Sequence, residues 1–366
     1  MSLDKPNNSF GEITIIGTGG GYGESCVLHL GEQKWVVIDS CIDPNSRKSL
    51  PLAYLEQVGV NLGEDVELIL CTHWHDDHIL GISDLLKKCV KAKFSFAKAN
   101  DLTKFLRMVA LDYQKLLKGS TNSSTFEFNQ CLEIIEKRKS NHQVLAYPDR
   151  VLLSINYLIY QNEVIALSPS DAAIKNFDHE ISSLITEYGK TNRRIIPLSP
   201  NFNSVVVLLK LGPHRALLGA DLGVSKSNKM VGWDCIIEQS QTIDKASAYF
   251  KIPHHGSINS FHETLWENRF LVHPISTITP WNRGLKLPTR DMVEKYKSLS
   301  KAVFITSVFS KSKPKKRDKV INKMIEDFKI DIEEIPFKYG IIRSRIDMSD
   351  KSADWAVDCF GTSLIL

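Results

Sequence analysis

The chain of 366 residues is 43% hydrophobic and 24% charged, which is typical of a soluble globular protein with one or two domains. No apolar stretch approaches the roughly 18–20 residues that a membrane helix needs, and the first residues lack the basic and apolar blocks of a signal peptide. Seven scattered cysteines without a CxxC pair predict reduced thiols in a cytoplasmic protein, and the lack of a membrane-length apolar stretch predicts no membrane partner. A net charge of +4 neither demands nor excludes a nucleic-acid partner.

The first part of the chain predicts an alternation of strands and helices. The predicted strands span 12–18, 25–30, 35–39 and 66–71, and the predicted helices span 49–58 and 79–88. The glycine-rich run 17–23 fits neither a GxGxxG register nor a phosphate-binding Gly-Lys-Ser/Thr, so it predicts a tight turn. Asp39 ends the third strand and is either a strand-end cap or a residue that orients a ligand histidine.

The segment 66–81 contains the strongest chemical signal. An apolar run of strand length ends at Thr72, and four potential metal ligands follow within six residues: His73, His75, Asp77 and His78. Imidazole and carboxylate groups suit zinc, manganese or iron. Four such residues can begin two adjacent metal sites but cannot complete either, so we expect later His and Asp residues to reach the same place. The alternatives are a polar loop or a structural metal clip.

The middle of the chain has a different texture. Apolar residues repeat at helical spacing over 102–116 and again over 126–138, with a Ser/Gly-rich break between them. This pattern predicts a helical insertion at 100–142, which could be a lid, a docking surface for a protein partner, or a pair of helices that only packs. Three β-like runs follow at 144–147, 151–155 and 164–167, and then a helix at 171–188.

The second half supplies the expected additional ligands. Strands predicted at 203–211 and 214–218 lead to Asp221, which two small residues allow to approach a metal pair closely; its alternative role is a helix N-cap. A strand predicted at 248–253 runs directly into His254 and His255. At least one of them should be a ligand, and the other could contact the substrate or leaving group. We assign His254 to the metal and His255 to catalysis.

The spacing of His73, His75, Asp77 and His78 resembles the HxHxDH signature of the metallo-β-lactamase fold hydrolases. The resemblance implies an α/β fold of four layers, an αββα sandwich formed by residues 1–366 as one domain. It also implies that His73 and His75 hold the first of two divalent ions, zinc or manganese, that Asp77 and His78 hold the second, and that Asp221 bridges them.

The segments 203–207, 217–221 and 251–257 together resemble one branch of that superfamily, the hydrolase domain of ComEC-type DNA-uptake proteins and soluble relatives such as phosphorylcholine esterases. The resemblance covers about 10–100 and 150–310 and implies phosphodiester hydrolysis. One departure is Leu287, which stands where that branch tends to have a histidine. We interpret Ser257, Asn282 and Arg283 as substrate-binding residues, because hydroxyl, amide and guanidinium groups suit phosphate oxygens.

These patterns lead to one main functional hypothesis and two alternatives. The main one is a metal-dependent phosphodiesterase or nuclease in which Asp77 steers an attacking water. The first alternative is a catalytically latent or partner-regulated component of a multi-protein system, for instance a defence system, acting mainly as a binding module. The second is a small-molecule esterase or lactonase with the same metal centre. The basic run 311–319 is either a solvated loop or a nucleic-acid contact.

Overall fold

The computed structural model describes residues 3–18, 23–43, 45–99, 124–138, 142–158, 160–188, 200–267, 270–282, 285–307, 327 and 339–366. The strands are β1 Phe10–Thr18, β2 Glu24–His29, β3 Trp35–Ile38, β4 Val66–Cys71, β5 Lys93–Ala97, β6 Gln143–Ala146, β7 Arg150–Asn156, β8 Gln161–Ala166, β9 Val207–Leu211, β10 His214–Leu218, β11 Ser247–Lys251, β12 Leu271–Ile278, β13 Ala302–Ile305, β14 Tyr339–Asp347, β15 Ala356–Gly361 and β16 Leu364–Ile365. The helices are α1 Leu50–Gln57, α2 Leu62–Asp65, α3 Asp76–Ile79, α4 Ile82–Lys88, α5 Ser124–Glu136, α6 Asp171–Tyr188, α7 Gly232–Gln239 and α8 Arg290–Leu299.

The strands form two mixed sheets of eight strands each. The first has the order β15-β14-β1-β2-β3-β4-β5-β6, and the second has the order β16-β13-β12-β11-β10-β9-β8-β7. Strands β3 to β6 are parallel in the first sheet, and β10 to β13 are parallel in the second. The carboxyl ends of such parallel strands are where open α/β sheets place their functional sites.

Alternating strand side chains create the layers of the fold. In β4, Leu68 and Leu70 pack between the two sheets, whereas Ile69 packs on the helix-covered outer face of the first sheet. In β10, Leu218 lies between the sheets and Leu217 lies on the outer face of the second. Because inner strands such as β4 and β10 are covered on both faces, their sequences are mostly apolar runs. The result is the predicted four-layer αββα arrangement.

Helix α5 belongs to the helical layer on the first sheet. It lies between the parallel neighbours β5 and β6, which need a crossover connection of this kind. Phe128 and Cys131 are buried in the outer core, and Glu127 accepts hydrogen bonds from the amides of Gly81 and Ser83 at 3.1 and 2.7 Å. This part of the predicted insertion is therefore integral to the packing. The helix predicted at 102–116 lies outside the described residues, as does the basic run 311–319.

Several elements differ from the sequence-based expectation. The helix predicted at 79–88 is two short helices, because Gly81 between them adopts a φ of 94°. The strand predicted from 203 begins only at Val207, after a 3-10 turn at Pro200–Asn203. The sequence analysis did not predict β14, β15 or β16. In the structure β14 pairs with β1 and with β15, and β16 pairs with β13, so that β15 and β16 each form an edge of one sheet. Among the described helices, none is long and apolar enough to span a bilayer.

Candidate metal centre

All the predicted ligands except His254 meet where the two sheets come together. The loop after β4 carries His73, and the loops after β10 and β11 carry Asp221 and His255. The amide of Val205, two residues before β9, donates a 3.1 Å hydrogen bond to the carbonyl of Thr72 and joins the two halves at this edge. The site is therefore built from both halves of the chain, as the incomplete ligand set at 73–78 predicted.

The first group of donor atoms consists of His73, His75 and Asp221. The Nε2 atom of His73 lies 3.1 Å from Nδ1 of His75 and 3.7 Å from Oδ2 of Asp221. Two ligand atoms that each lie about 2.0–2.1 Å from a tetrahedral zinc ion are themselves about 3.3 Å apart. The spacing of these three donors therefore fits one metal ion of that size.

The second group consists of Asp77, His78 and His255, whose donor atoms lie within 4.8 Å of one another. Oδ2 of Asp77 is 3.7 Å from Nε2 of His78 and 3.5 Å from Nε2 of His255. Asp221 also reaches this group, because its Oδ1 lies 3.5 Å from Nε2 of His78. One buried carboxylate thus faces both donor groups, which is the position that its predicted bridging role requires.

Hydrogen bonds behind the donors fix the orientation of the rings. Nδ1 of His78 is 2.8 Å from Oδ2 of Asp39, and Nδ1 of His255 is 2.9 Å from the carbonyl oxygen of Thr279. Asp39 also accepts from the amide and hydroxyl of Thr72 at 2.7 and 2.6 Å. When Nδ1–H donates to such an oxygen, Nε2 keeps its lone pair and can bind a metal. Asp39 therefore has the orienting role that was one of its two predicted alternatives.

We expect Asp39→Asn to weaken metal binding without removing a donor atom. Asparagine has one neutral oxygen where aspartate has two anionic ones, so it cannot accept all three hydrogen bonds and the His78 ring loses its fixed orientation. Such changes typically lower metal affinity about 10- to 100-fold. A competition titration against a chromophoric chelator measures the effect. The matched control is Asp149→Asn, a carboxylate that accepts hydrogen bonds from Ser240 and Thr242 on another side of the fold. Equal affinity for Asp39→Asn and wild type would contradict the orienting role.

Buried polar atoms without partners indicate that the donors fit cations. Nε2 of His78 and Oδ1 of Asp221 have no hydrogen-bond partner within the described part of the chain, although both atoms are buried. Native proteins rarely leave such atoms unsatisfied, and metal coordination is one way to satisfy them. Imidazole nitrogens and carboxylate oxygens are also the donor set that divalent zinc accepts.

The electrostatics of the cluster favour positive charge. Burial works to raise the pKa of the Asp77 and Asp221 carboxyl groups, but His78 and His255 outweigh it and hold both values below the usual range. Burial works to lower the pKa of His78 and His255, yet the neighbouring carboxylates raise both. Burial lowers the pKa of His73, so this ring is a neutral donor. The carboxylates therefore create a field that protons or metal cations can neutralise.

The structure places the two paired histidines differently from their sequence-based assignment. His255, predicted to be catalytic, is the ring whose Nε2 joins the donor group, whereas His254, predicted to be a ligand, belongs to none of the candidate metal groups among the described residues. Nε2 of His254 instead lies 3.3 Å from Nδ2 of Asn201. Both residues adopt positive φ values, 48° and 56°, and their ring centroids lie 6.0 Å apart.

The predicted substrate-binding residues have mixed positions. Ser257 is buried, and its hydroxyl accepts a 3.3 Å hydrogen bond from the amide of Asn259, so it caps a 3-10 turn. Asn282 is half-buried and follows Trp281, whose ring centroid lies 5.3 Å from that of His255. Arg283 lies outside the described residues. Leu287 pairs with Trp281 through two 2.9 Å backbone hydrogen bonds.

Glu24 and Lys251 are charged residues near the cluster that the sequence analysis did not assign. Each lies in an otherwise apolar, buried strand, and Lys251 donates to Oε1 of Glu24. Burial works to lower the pKa of Lys251, but Glu24 and Asp221 outweigh it and keep the ammonium group charged. The signal available in the sequence was one acidic and one basic residue at buried strand positions.

The fold and the site together define an α/β sandwich with a candidate metal centre at the junction of its sheets. Residues 19–115 match the family model described as the metallo-beta-lactamase superfamily. A comparison with curated proteins gives no match.

Solved structures with a similar chain trace include the metallo-beta-lactamase fold protein YhfI from Bacillus subtilis, at 10% identity and a TM-score of 0.41, covering 82% of this chain and 97% of that one. The Rm3 metallo-beta-lactamase is 14% identical with a TM-score of 0.34, covering 68% and 78%. A metallo-beta-lactamase mutant from Cronobacter sakazakii is 13% identical with a TM-score of 0.35, covering 65% and 75%.

Proposed function

We propose that this chain is a metal-dependent hydrolase with two divalent ions, zinc or manganese. His73 and His75 hold the first ion, Asp77, His78 and His255 hold the second, and Asp221 contacts both. The observation that carries the proposal is the convergence of these donors from three separate loops, with separations of 3.1–3.9 Å between neighbouring donor atoms. A structural metal clip needs only one closed site, whereas two adjacent groups that share a carboxylate suit hydrolysis.

Divalent ions in such a site supply Lewis-acid chemistry, because they lower the pKa of water and stabilise negative charge that develops on a substrate. The protein's own groups orient the reactants. The Asp77 side chain is 12% exposed, more than the other carboxylate of the centre, and so can direct a water toward the substrate. His254 is half-buried beside Asn201 and is available to contact the substrate or the leaving group.

We propose a phosphodiester as the substrate class. The support is the resemblance of 203–207, 217–221 and 251–257 to the branch that includes DNA-uptake hydrolase domains and phosphorylcholine esterases. Two divalent ions held in the adjacent donor groups would supply a clamp for the attacking and leaving oxygens of a phosphoryl group. Under this proposal, nucleic acid or a small phosphodiester is the partner, and residues 1–366 act as one catalytic domain.

A cavity favours a second candidate, a small-molecule esterase or lactonase. Its volume is about 300 Å³, and its lining includes Asn176, Phe202 and Asn228. Phe177 and Asn203 line this cavity and also a smaller one that contacts Thr72, His73 and Trp74. A cavity of this size accommodates a compact ligand rather than a nucleic-acid strand. The two candidates share the metal centre and differ only in substrate.

The test compares substrates and variants in one assay. Wild-type protein loaded with Zn²⁺ or Mn²⁺ is assayed with bis(p-nitrophenyl) phosphate, DNA, p-nitrophenyl acetate and a lactone, together with Asp77→Ala and His78→Ala. We expect phosphodiester cleavage that falls about 10³-fold in both variants, a loss of about 4 kcal/mol of transition-state stabilisation.

The matched controls are Asp84→Ala and His179→Ala, which change a half-exposed aspartate on α4 and an exposed histidine on α6. Both controls should retain wild-type rates. Cleavage of the ester or lactone alone would favour the small-molecule candidate. A folded wild-type protein that binds fewer than two ions and cleaves none of the substrates would contradict the proposal and favour the binding-module alternative.

A further inference from the structure

A buried ion pair lies directly beside the donor cluster. Glu24 begins β2 of the first sheet, and Lys251 ends β11 of the second, so the pair connects the two sheets. Glu24 is 2% exposed and Lys251 is 1% exposed, and the lysine Nζ donates to Oε1 of the glutamate. Lysine and glutamate are almost never this deeply buried unless they are paired.

The pair does not satisfy the whole glutamate carboxylate. Oε2 of Glu24 is buried and has no hydrogen-bond partner among the residues that the structure describes. A carboxylate oxygen of Glu24 lies within 4.8 Å of donor atoms of His78 and Asp221, and these three residues form a third candidate metal group. His78 and Asp221 each contribute an unpartnered atom as well, Nε2 and Oδ1. Each of the three residues of this group therefore has a buried atom of ligand type without a partner.

We propose that Glu24 is an additional ligand of the ion held by His78 and Asp221, and that Lys251 positions it by holding its other oxygen. This inference rests on the metal centre proposed above. It gives that ion a further protein donor in a chain that has Leu287 where the resembling branch tends to have a histidine. Glu24 begins β2, far in the sequence from His78 and Asp221, so its position in the sequence does not associate it with the other ligands.

The alternative is a purely structural pair in which each charge only neutralises the other. That alternative accounts for the contact between Nζ and Oε1. It does not account for the unpartnered Oε2, because burying an anionic oxygen without a donor or cation is strongly unfavourable. Nor does it require the carboxylate to approach His78 and Asp221.

The decisive variant is the double substitution Glu24→Gln/Lys251→Met. It removes one negative and one positive charge, so the net charge near the centre is unchanged and no buried charge is left without its partner. We expect the dissociation constant for one of the two ions to rise about 10- to 100-fold, while the other ion binds as in wild type. Competition with a chromophoric chelator, followed by metal analysis of the dialysed protein, gives affinity and stoichiometry independently of catalysis.

Two further variants complete the test. Glu24→Asp keeps the charge but withdraws the carboxylate by one methylene, so it should also weaken the binding of one ion. This variant tests the proposal if the double variant does not fold. The matched control is Glu12→Gln, which changes a buried glutamate on the adjacent strand whose partners are Thr14, Tyr54 and Arg345. It should bind both ions normally.

The outcomes separate the two proposals. Two ions with wild-type affinity in a folded double variant or in Glu24→Asp would overturn the role of Glu24 but leave the metal centre intact. Failure of the wild-type protein to bind any divalent ion would overturn both.

Discussion

Asp221→Asn should abolish most hydrolytic activity and reduce the metal content of the purified protein from two ions toward one. The Asp221 carboxylate faces both donor groups: Oδ2 lies 3.7 Å from Nε2 of His73, and Oδ1 lies 3.5 Å from Nε2 of His78. An amide in the same place is uncharged and has only one oxygen, so it cannot serve two ions. We expect kcat/KM for bis(p-nitrophenyl) phosphate to fall at least about 10³-fold, which corresponds to about 4 kcal/mol.

The control for this substitution is Asp234→Asn. Asp234 is also a largely buried aspartate beside a histidine, with Oδ1 3.4 Å from Nε2 of His262, but it lies on α7 outside the donor cluster. It should retain both ions and normal rates. Full activity and two bound ions in Asp221→Asn would show that this carboxylate does not connect the two sites.

Gly23→Ala should damage both stability and activity, although it changes no ligand. Gly23 has a φ of 110°, and a Cβ atom at this position would lie 1.7 Å from the carbonyl oxygen of Asp77. The methyl group must therefore displace the backbone that carries Asp77 and His78. We expect a loss of about 2–5 kcal/mol in the free energy of unfolding, from the strained φ and from the overlap together. Misplacement of ligands by about 1 Å should lower the rate about 10²-fold.

Gly59→Ala is the matched control, because Gly59 also has a positive φ, 76°, but an added Cβ meets no atom of the described residues within 4 Å. It should lose only about 1–2 kcal/mol and keep normal activity. Thermal unfolding measures stability, and initial rates measure activity, for both variants. Equal behaviour of the two variants would mean that the contact between Gly23 and the loop of Asp77 has no functional consequence.

Much of the fold follows from local patterns. Continuous apolar runs of strand length predicted β4 and β10 with their observed bounds, because strands buried on both faces need no polar positions. Helix α6 also has its predicted bounds. The sequence analysis did not predict β14 to β16. Strand formation in these segments depends on their pairing with β1 and β13, which are distant in the sequence or not marked by a local pattern.

Candidate ligands and the strand ends that precede them were visible in the amino-acid sequence, because ligand type and strand ends are local properties of the chain. His73, His75, Asp77, His78 and Asp221 were all identified in this way. The position of each paired histidine depends on three-dimensional packing: Nε2 of His255 lies 3.5 Å from Oδ2 of Asp77, whereas Nε2 of His254 lies 3.3 Å from Nδ2 of Asn201. The tertiary structure also brought Glu24 and Lys251 together, because their contact depends on how one sheet is aligned on the other, which neither strand specifies alone.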